Sequence, residues 1–212
     1  MAHRASGEPV PGIYLYWIPL GAGGSGFVRL NGRIYEGLMA RRQRRRPLDL
    51  YHTALVIELS EGRFVVETMW PRPDHDGESR GVVRDGPVFS HWLSFTRVFR
   101  YEVRCWRDGE LPDADQAVDG GRLVSASAEI GRRALELTGE VPAFTWGRDV
   151  TSTGDMWNSN SVVSWVLSTS GLDMEVVVPP EGGRAPGWDA GISAAQRGEG
   201  SPTVRDPGLH VE

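Results

Sequence analysis

The stretch that decides the fold spans residues 50–69. It reads Leu50-Tyr51-His52-Thr53-Ala54-Leu55-Val56-Ile57-Glu58, then a turn through Ser60-Glu61-Gly62, then Arg63-Phe64-Val65-Val66-Glu67-Thr68-Met69. The two outer runs are rich in β-branched residues, which favour strands. The short segment between them is polar and ends in glycine, as tight turns often do. We therefore expect two adjacent antiparallel strands.

The rest of the chain adds strands first and helices afterwards. Residues 12–18 are aromatic and β-branched, and residues 98–104 alternate between apolar and charged. Residues 124–138 carry apolar positions at helical spacing, and a second helix is expected from about residue 158, closed by Gly171. This order favours an α+β fold, with an antiparallel sheet packed against helices, over a parallel α/β sheet. We expect one domain over residues 1–195 and a flexible tail over 196–212.

Composition excludes several classes of protein. The chain has 212 residues, of which 40% are hydrophobic and 24% are charged, as in ordinary globular proteins. A net charge of −5 argues against general nucleic-acid binding. No apolar run approaches the roughly 18 residues that a transmembrane segment needs. The first nine residues lack the apolar core of a secretion signal, and Cys105 is the single cysteine, so we expect a cytoplasmic protein.

The start of the late helix carries the main functional signal. It reads Asp155-Met156-Trp157-Asn158-Ser159-Asn160-Ser161-Val162-Val163. Asp155 or Asn158 can cap the helix, and Ser159 then lies where backbone N–H groups and the helix dipole can stabilise an oxyanion. His52 could act as the base, and Glu67 on the neighbouring strand could orient it. A histidine at the start of a strand also has a plain structural interpretation.

The run Asn158-Ser159-Asn160-Ser161-Val162-Val163 resembles the nucleophile helix of papain-like NlpC-type hydrolases. In that family the pattern is Asp or Asn, then Cys, two small or polar residues, and an apolar pair. The strand with His52, followed by the strand that carries Val65-Val66-Glu67, is also similar to that family. The histidine precedes the nucleophile, which matches the circularly permuted branch that includes YiiX-like and lecithin:retinol acyltransferase-like proteins. The resemblance covers residues 50–172.

The resemblance implies a permuted papain-like arrangement in which Ser159 is the nucleophile, His52 the base and Glu67 the orienting residue. It implies hydrolysis or transfer of an amide, ester or thioester, with no cofactor and a peptide, peptidoglycan-fragment or lipid-like acyl substrate. The chain departs from the family because Ser159 stands where the family has cysteine. A hydroxyl is a far weaker acid than a thiol and depends more on its base.

Three explanations of that serine remain open. The chain can be a natural serine variant that still cleaves esters or amides. It can be a catalytically inactive relative that binds a peptide or lipid-like ligand in the same cleft. It can also carry an introduced serine that replaces cysteine to trap a complex.

Further residues are candidates for ligand contacts. Trp157 and Asn158 precede Ser159, and Arg184 and Trp188 belong to the compact segment 182–191. That segment can act as a lid, or it can bury Trp188 and thereby hold the C-terminal part of the chain.

A basic run, with arginine at 41, 42, 44, 45 and 46, is either a solvated helix end or a clamp for anionic groups. In the second case the protein would be an interaction module for an anionic surface. We predict no metal site, and the sequence does not specify an oligomeric state.

Overall fold

A computed structural model describes residues 10–21, 36–37, 40–41, 44–71, 81–89, 96, 99–111 and 113–200. The strands are β1 (Gly12–Pro19), β2 (Asp49–Leu59), β3 (Gly62–Met69), β4 (Val82–Pro87), β5 (Arg100–Arg107), β6 (Gly121–Ser125) and β7 (Gly183–Arg184). Within residues 113–200 the α-helices are α1 (Ala128–Leu137), α2 (Ser159–Thr169) and α3 (Trp188–Gln196). Single 3-10 turns occur at Ala114–Gln116 and Thr138–Glu140.

The main sheet has the strand order β4-β5-β3-β2-β1-β6, and all of its neighbouring strands are antiparallel. The short strand β7 pairs in parallel with the first residues of β2. The predicted hairpin is confirmed, because Leu55 pairs with Val66 and Leu59 pairs with Gly62. An α+β fold with an antiparallel sheet and helices is therefore the observed class, as the sequence predicts.

Apolar residues cover both faces of this sheet. On one face, Leu55 and Ile57 pack with Val162, Val163 and other buried residues of α2, and we call this the helix face. On the opposite face, a second cluster contains Ile18, Ala54, Val56, Val65 and Leu111. We call it the far face. Because successive side chains of a strand point to opposite sides, each residue of β2 belongs to one face or the other.

Helix α1 begins later than the sequence predicts. The prediction of a helix over residues 124–138 is wrong at its start, because Val124 belongs to the edge strand β6, which pairs with β1. The helix begins at Ala128, where Ser127 is the N-cap and its hydroxyl accepts a hydrogen bond from the Ile130 N–H at 3.3 Å. Sheet pairing to β1 therefore overrides the weak helical pattern at residues 124 and 125.

Helix α3 packs directly against α2. The Ser164 hydroxyl donates a hydrogen bond to the Trp188 carbonyl at 2.7 Å, and Gly191 lies against the α2 backbone. Beyond α3, the Trp165 indole N–H donates to the Glu199 carbonyl at 2.8 Å, which holds residues up to 199 against the core. The rest of the predicted tail, residues 201–212, lies outside the described residues.

Among the helices of the described residues, none is both long and apolar enough to cross a bilayer.

Candidate functional site

The four polar residues at the start of α2 are Asn158, Ser159, Asn160 and Ser161. Asn158 is the N-cap, and its side-chain oxygen accepts a hydrogen bond from the Asn160 N–H at 2.9 Å. The Ser161 hydroxyl accepts one from the Asn158 N–H at 3.0 Å. These reciprocal bonds satisfy N–H groups that a helix start leaves without partners, which explains why the helix begins here.

Asn160 connects three parts of the chain and is almost fully buried. Its side-chain oxygen accepts a hydrogen bond from the Thr53 hydroxyl at 2.9 Å. Its amide nitrogen donates to the Tyr51 carbonyl at 3.0 Å and to the Pro186 carbonyl at 2.8 Å. The side chain thereby joins strand β2, helix α2 and the residues before α3.

Residues 183–188 form what we call the closing segment. The amide of Asn158 donates to the Pro186 carbonyl at 2.8 Å, and the Ser161 hydroxyl donates to the Gly187 carbonyl at 2.7 Å. Three of the four polar residues at the start of α2 therefore hold the closing segment in place.

Asp155 also bonds to two residues of the closing segment. Its carboxylate accepts a hydrogen bond from the Gly187 N–H at 2.5 Å and forms an ion pair with Arg184 at 3.3 Å. Burial raises the pKa of this carboxyl group, although the Gly187 N–H and the Arg184 charge act to lower it. Arg184, which the sequence suggested as a ligand contact, therefore has a structural partner.

Ser159 differs from its three polar neighbours. The residue is half-buried, and its hydroxyl forms no hydrogen bond with any residue that the structure describes. Its backbone N–H is at the first helical position, where no acceptor exists within the helix. The positive end of the helix dipole lies at the same point. The hydroxyl and the N–H can therefore bind a carbonyl or carboxylate oxygen.

The side chain of His52 lies on the far face of the sheet. Its strand neighbour Thr53 points to the helix face, where it bonds to Asn160, and Ala54 belongs to the far-face cluster. Across the sheet, His52 pairs with Ile18, which is in the same cluster. The sheet therefore separates the imidazole from Ser159, and the structure does not bring the expected base to the expected nucleophile.

Glu67 shares the far face with His52, because it lies two residues from Val65 on β3. It pairs across the sheet with Arg104 of β5. Arg104 in turn forms an ion pair with Glu102 at 2.6 Å. The predicted histidine and glutamate thus share one sheet face, but that face is the one opposite α2.

The pKa of His52 is lowered, mainly because burial disfavours the charged imidazole, while Asp113 acts to raise it. At pH values below about 6.5, the ordinary pKa of histidine, the unfolded chain binds a proton at His52 more readily than the folded chain does. The free energy of unfolding therefore falls as the solution becomes more acidic. We expect His52→Gln to reduce the loss of unfolding free energy between about pH 7 and pH 5. Urea denaturation at several pH values measures this, and identical pH profiles for the two proteins would contradict it.

The two tryptophans proposed as ligand contacts lie in the core. Trp157 is fully buried, and its indole N–H donates to the Tyr101 hydroxyl at 3.2 Å. Trp188 is also buried and packs on Trp17 with ring centroids 4.8 Å apart. Of the two interpretations of segment 182–191, this conformation corresponds to the one in which Trp188 holds the C-terminal part of the chain.

One arginine of the basic run also has a structural role. Arg45 forms an ion pair with Glu36, which additionally accepts a hydrogen bond from the Leu48 N–H at 2.9 Å. The bond to Arg45 lowers the pKa of Glu36. Arg41, Arg44 and Arg46 are exposed, and Arg42 lies outside the described residues.

A row of aromatic rings, which the sequence did not single out, runs from the surface towards the start of α2. Trp70 contacts Trp146 with ring centroids 5.9 Å apart, and Trp146 contacts Tyr101 at 5.4 Å. Tyr101 accepts the hydrogen bond from Trp157, which in turn packs edge-on against Phe144 at 4.9 Å. Burial raises the pKa of Tyr101 to about 12. In the sequence, only the presence of eight tryptophans indicated an aromatic-lined surface.

Within the described part of the chain, no group of three or more His, Cys, Asp or Glu side chains is placed to hold a metal ion. No protein family, curated protein or solved structure matches this chain.

Proposed function

We propose that this protein binds a carbonyl or carboxylate group of a peptide or lipid-like ligand at Ser159, without using that serine as a nucleophile activated by His52. One observation carries the proposal. Asn158, Asn160 and Ser161 are all engaged in structural hydrogen bonds, whereas the Ser159 hydroxyl has no partner among the described residues. A helix start with free N–H groups is also a favourable place for an anionic or carbonyl oxygen.

The position of His52 favours binding over catalysis. A general base acts from hydrogen-bond distance, about 2.6–3.2 Å, or through one water molecule. The far-face position of His52 puts the β-sheet between the imidazole and Ser159. Without a base, a serine hydroxyl is a poor nucleophile. This combination supports the catalytically inactive alternative among the explanations of the serine.

Acyl-bond hydrolysis or transfer is the second candidate, and the free hydroxyl of Ser159 at a helix start is the observation that favours it. The same N–H group that would bind a ligand could stabilise an oxyanion. This candidate requires a base other than His52 in the observed arrangement. A permuted papain-like relationship likewise stays a proposal, supported by the packing of α2 against the preceding histidine strand.

A fluorophosphonate probe separates the two candidates. We expect no labelling of the wild-type protein, because an unactivated serine does not react. Labelling of the wild type that disappears in Ser159→Ala would overturn the binding proposal in favour of acyl chemistry.

Ligand binding is tested by thermal unfolding with decanoate and, separately, with N-acetyl-alanyl-alanine. We expect at least one of these carboxylates to raise the melting temperature of the wild type, because a ligand that binds only the folded state stabilises it. Ser159→Ala is expected to lose most of that shift while keeping the melting temperature of the unliganded protein. Equal shifts in both proteins, or no shift with either carboxylate, would contradict the proposal.

A further inference from the structure

Strands β2 and β3 separate before either of them ends. The pairing between them stops at Leu55 and Val66. Each strand continues beyond that point beside its other neighbour, β2 beside β1 and β3 beside β5. In an antiparallel ladder every second pair exchanges backbone hydrogen bonds, so the next bonded pair would be Thr53 with Thr68. These two residues do not pair, and we call the space between them the strand gap.

The backbone groups of both threonines point into the strand gap. A residue in a strand directs its N–H and C=O to the same side, and successive residues alternate. The Leu50 carbonyl accepts a hydrogen bond from the Leu20 N–H at 2.8 Å on the β1 side, so Thr53 directs its own groups to the β3 side. Thr68 is two residues from Val66, which pairs with β2, and its groups therefore face β2. The strand gap thus presents both N–H donors and C=O acceptors.

Beyond the strand gap, other parts of the chain take the place of β3 along this edge of β2. The Tyr51 carbonyl accepts a hydrogen bond from the Asn160 amide at 3.0 Å, and the Asp49 N–H donates to the Gly182 carbonyl at 3.3 Å. Thr53 therefore lies at an interruption between two bonded stretches of the same edge. Because buried backbone groups are normally paired, a ligand that carries the groups of a strand is suited to this place.

The Thr68 side chain independently indicates a ligand. The residue is only 8% exposed, and its hydroxyl is buried without a hydrogen-bond partner among the described residues. The side chain points to the helix face, because Thr68 lies two residues from Val66, which belongs to that core cluster. On the same face the Thr53 hydroxyl bonds to Asn160, the residue next to Ser159. The unpartnered hydroxyl and the strand gap therefore face the start of α2.

We propose that the strand gap binds the amide group of a short peptide whose terminal carboxylate lies at Ser159. This inference rests on the function proposed above and restricts its ligand to a peptide. The Thr68 hydroxyl donates a hydrogen bond to the ligand carbonyl, and the Thr53 carbonyl accepts one from the ligand N–H. The carboxylate of a fatty acid offers acceptors only, so it leaves the Thr53 carbonyl without a donor. Pairing of a peptide backbone with a free strand edge is a common mode of peptide recognition.

Isothermal titration calorimetry with two matched ligands tests the choice of a peptide. N-acetyl-alanyl-alanine has an amide between its two residues, whereas N-acetyl-alanyl-lactate has an ester there and lacks the N–H. Both carry the same terminal carboxylate. We expect the ester to bind roughly tenfold more weakly, because it leaves a carbonyl of the strand gap without a donor. Decanoate should bind more weakly than N-acetyl-alanyl-alanine for the same reason.

Thr68→Val separates binding from folding. The variant keeps the size of the side chain and removes a hydroxyl that has no partner, so it should unfold at the same temperature as the wild type or higher. It should nevertheless bind N-acetyl-alanyl-alanine roughly fivefold or more weakly. Thr169→Val is the matched control, because the Thr169 hydroxyl is also buried without a described partner but lies at the last residue of α2. This control should leave the affinity unchanged.

Ser159→Ala distinguishes the failure of this inference from the failure of the function on which it rests. The strand gap is overturned, and the proposed function stands, if Ser159→Ala weakens binding while Thr68→Val does not or while the ester binds as well as the amide. The site at Ser159 is overturned if Thr68→Val weakens binding and Ser159→Ala does not. Failure of N-acetyl-alanyl-alanine to bind at millimolar concentration overturns the inference in full.

Discussion

Asn160→Asp is expected to lower the free energy of unfolding by about 3 kcal/mol or more, because two buried carbonyl groups lose their donor and a carboxylate is placed against them. The change keeps the shape of the side chain and the acceptor for Thr53. It removes the amide hydrogens that bond to the Tyr51 and Pro186 carbonyls. Among the described contacts of the four polar residues at the start of α2, only those of Asn160 join β2, α2 and the closing segment.

Urea denaturation at neutral pH, with Ser159→Ala as the matched control, measures this effect. Ser159 is adjacent in sequence and forms no hydrogen bond with described residues, so its replacement should change stability by no more than about 0.5 kcal/mol. Burial raises the folded-state pKa of the new aspartate above its unfolded value, so the variant should regain part of its stability as the pH falls through that pKa. A stability equal to that of wild type would show that Asn160 does not connect the three elements.

Gly191→Ala is expected to destabilise the protein by about 1–3 kcal/mol through overpacking between α2 and α3. A Cβ atom at this position would lie 2.1 Å from the Ser161 carbonyl oxygen and 2.1 Å from the Ser164 hydroxyl. The first of these atoms belongs to the helix backbone, so α3 must shift as a unit. The gain in helix propensity from glycine to alanine, about 1 kcal/mol, offsets only part of this cost.

Gly139→Ala is the matched control for steric crowding. A Cβ atom there would meet nothing within 4 Å, so the variant should be as stable as the wild type or slightly more stable. Thermal unfolding of both variants provides the comparison. Equal melting temperatures for the two would mean that α2 and α3 are not packed through Gly191.

Local patterns predicted the hairpin, the antiparallel sheet and the start of α2, because each rests on residues close in sequence. The side of the sheet on which His52 lies was not predictable. In β2 the positions on both faces are apolar, with Tyr51, Leu55 and Ile57 on one and Ala54 and Val56 on the other. When both faces of a sheet are covered, the pattern of one strand does not indicate which face the helices occupy.

The aromatic row could not be predicted for a different reason. Trp70, Tyr101, Trp146 and Trp157 come from four separate parts of the chain, and nothing in their local sequence relates them. Tertiary packing alone places them in a series. The same holds for Asn160, whose three partners lie 26 to 109 residues away.

The contacts of α2 with Pro186 and Glu199 also constrain the synthesis of this protein. While the nascent chain still ends before the closing segment, the Asn158 amide and the Trp165 indole lack their native carbonyl acceptors, and the Asn160 amide has only one of its two, the Tyr51 carbonyl. Because the exit tunnel of the ribosome shelters the most recent residues, the Glu199 carbonyl emerges only after further residues have been added to the chain. The β2–β3 hairpin can therefore form early, whereas the contacts of α2 with Pro186 and Glu199 form only once residues 183–199 have left the tunnel.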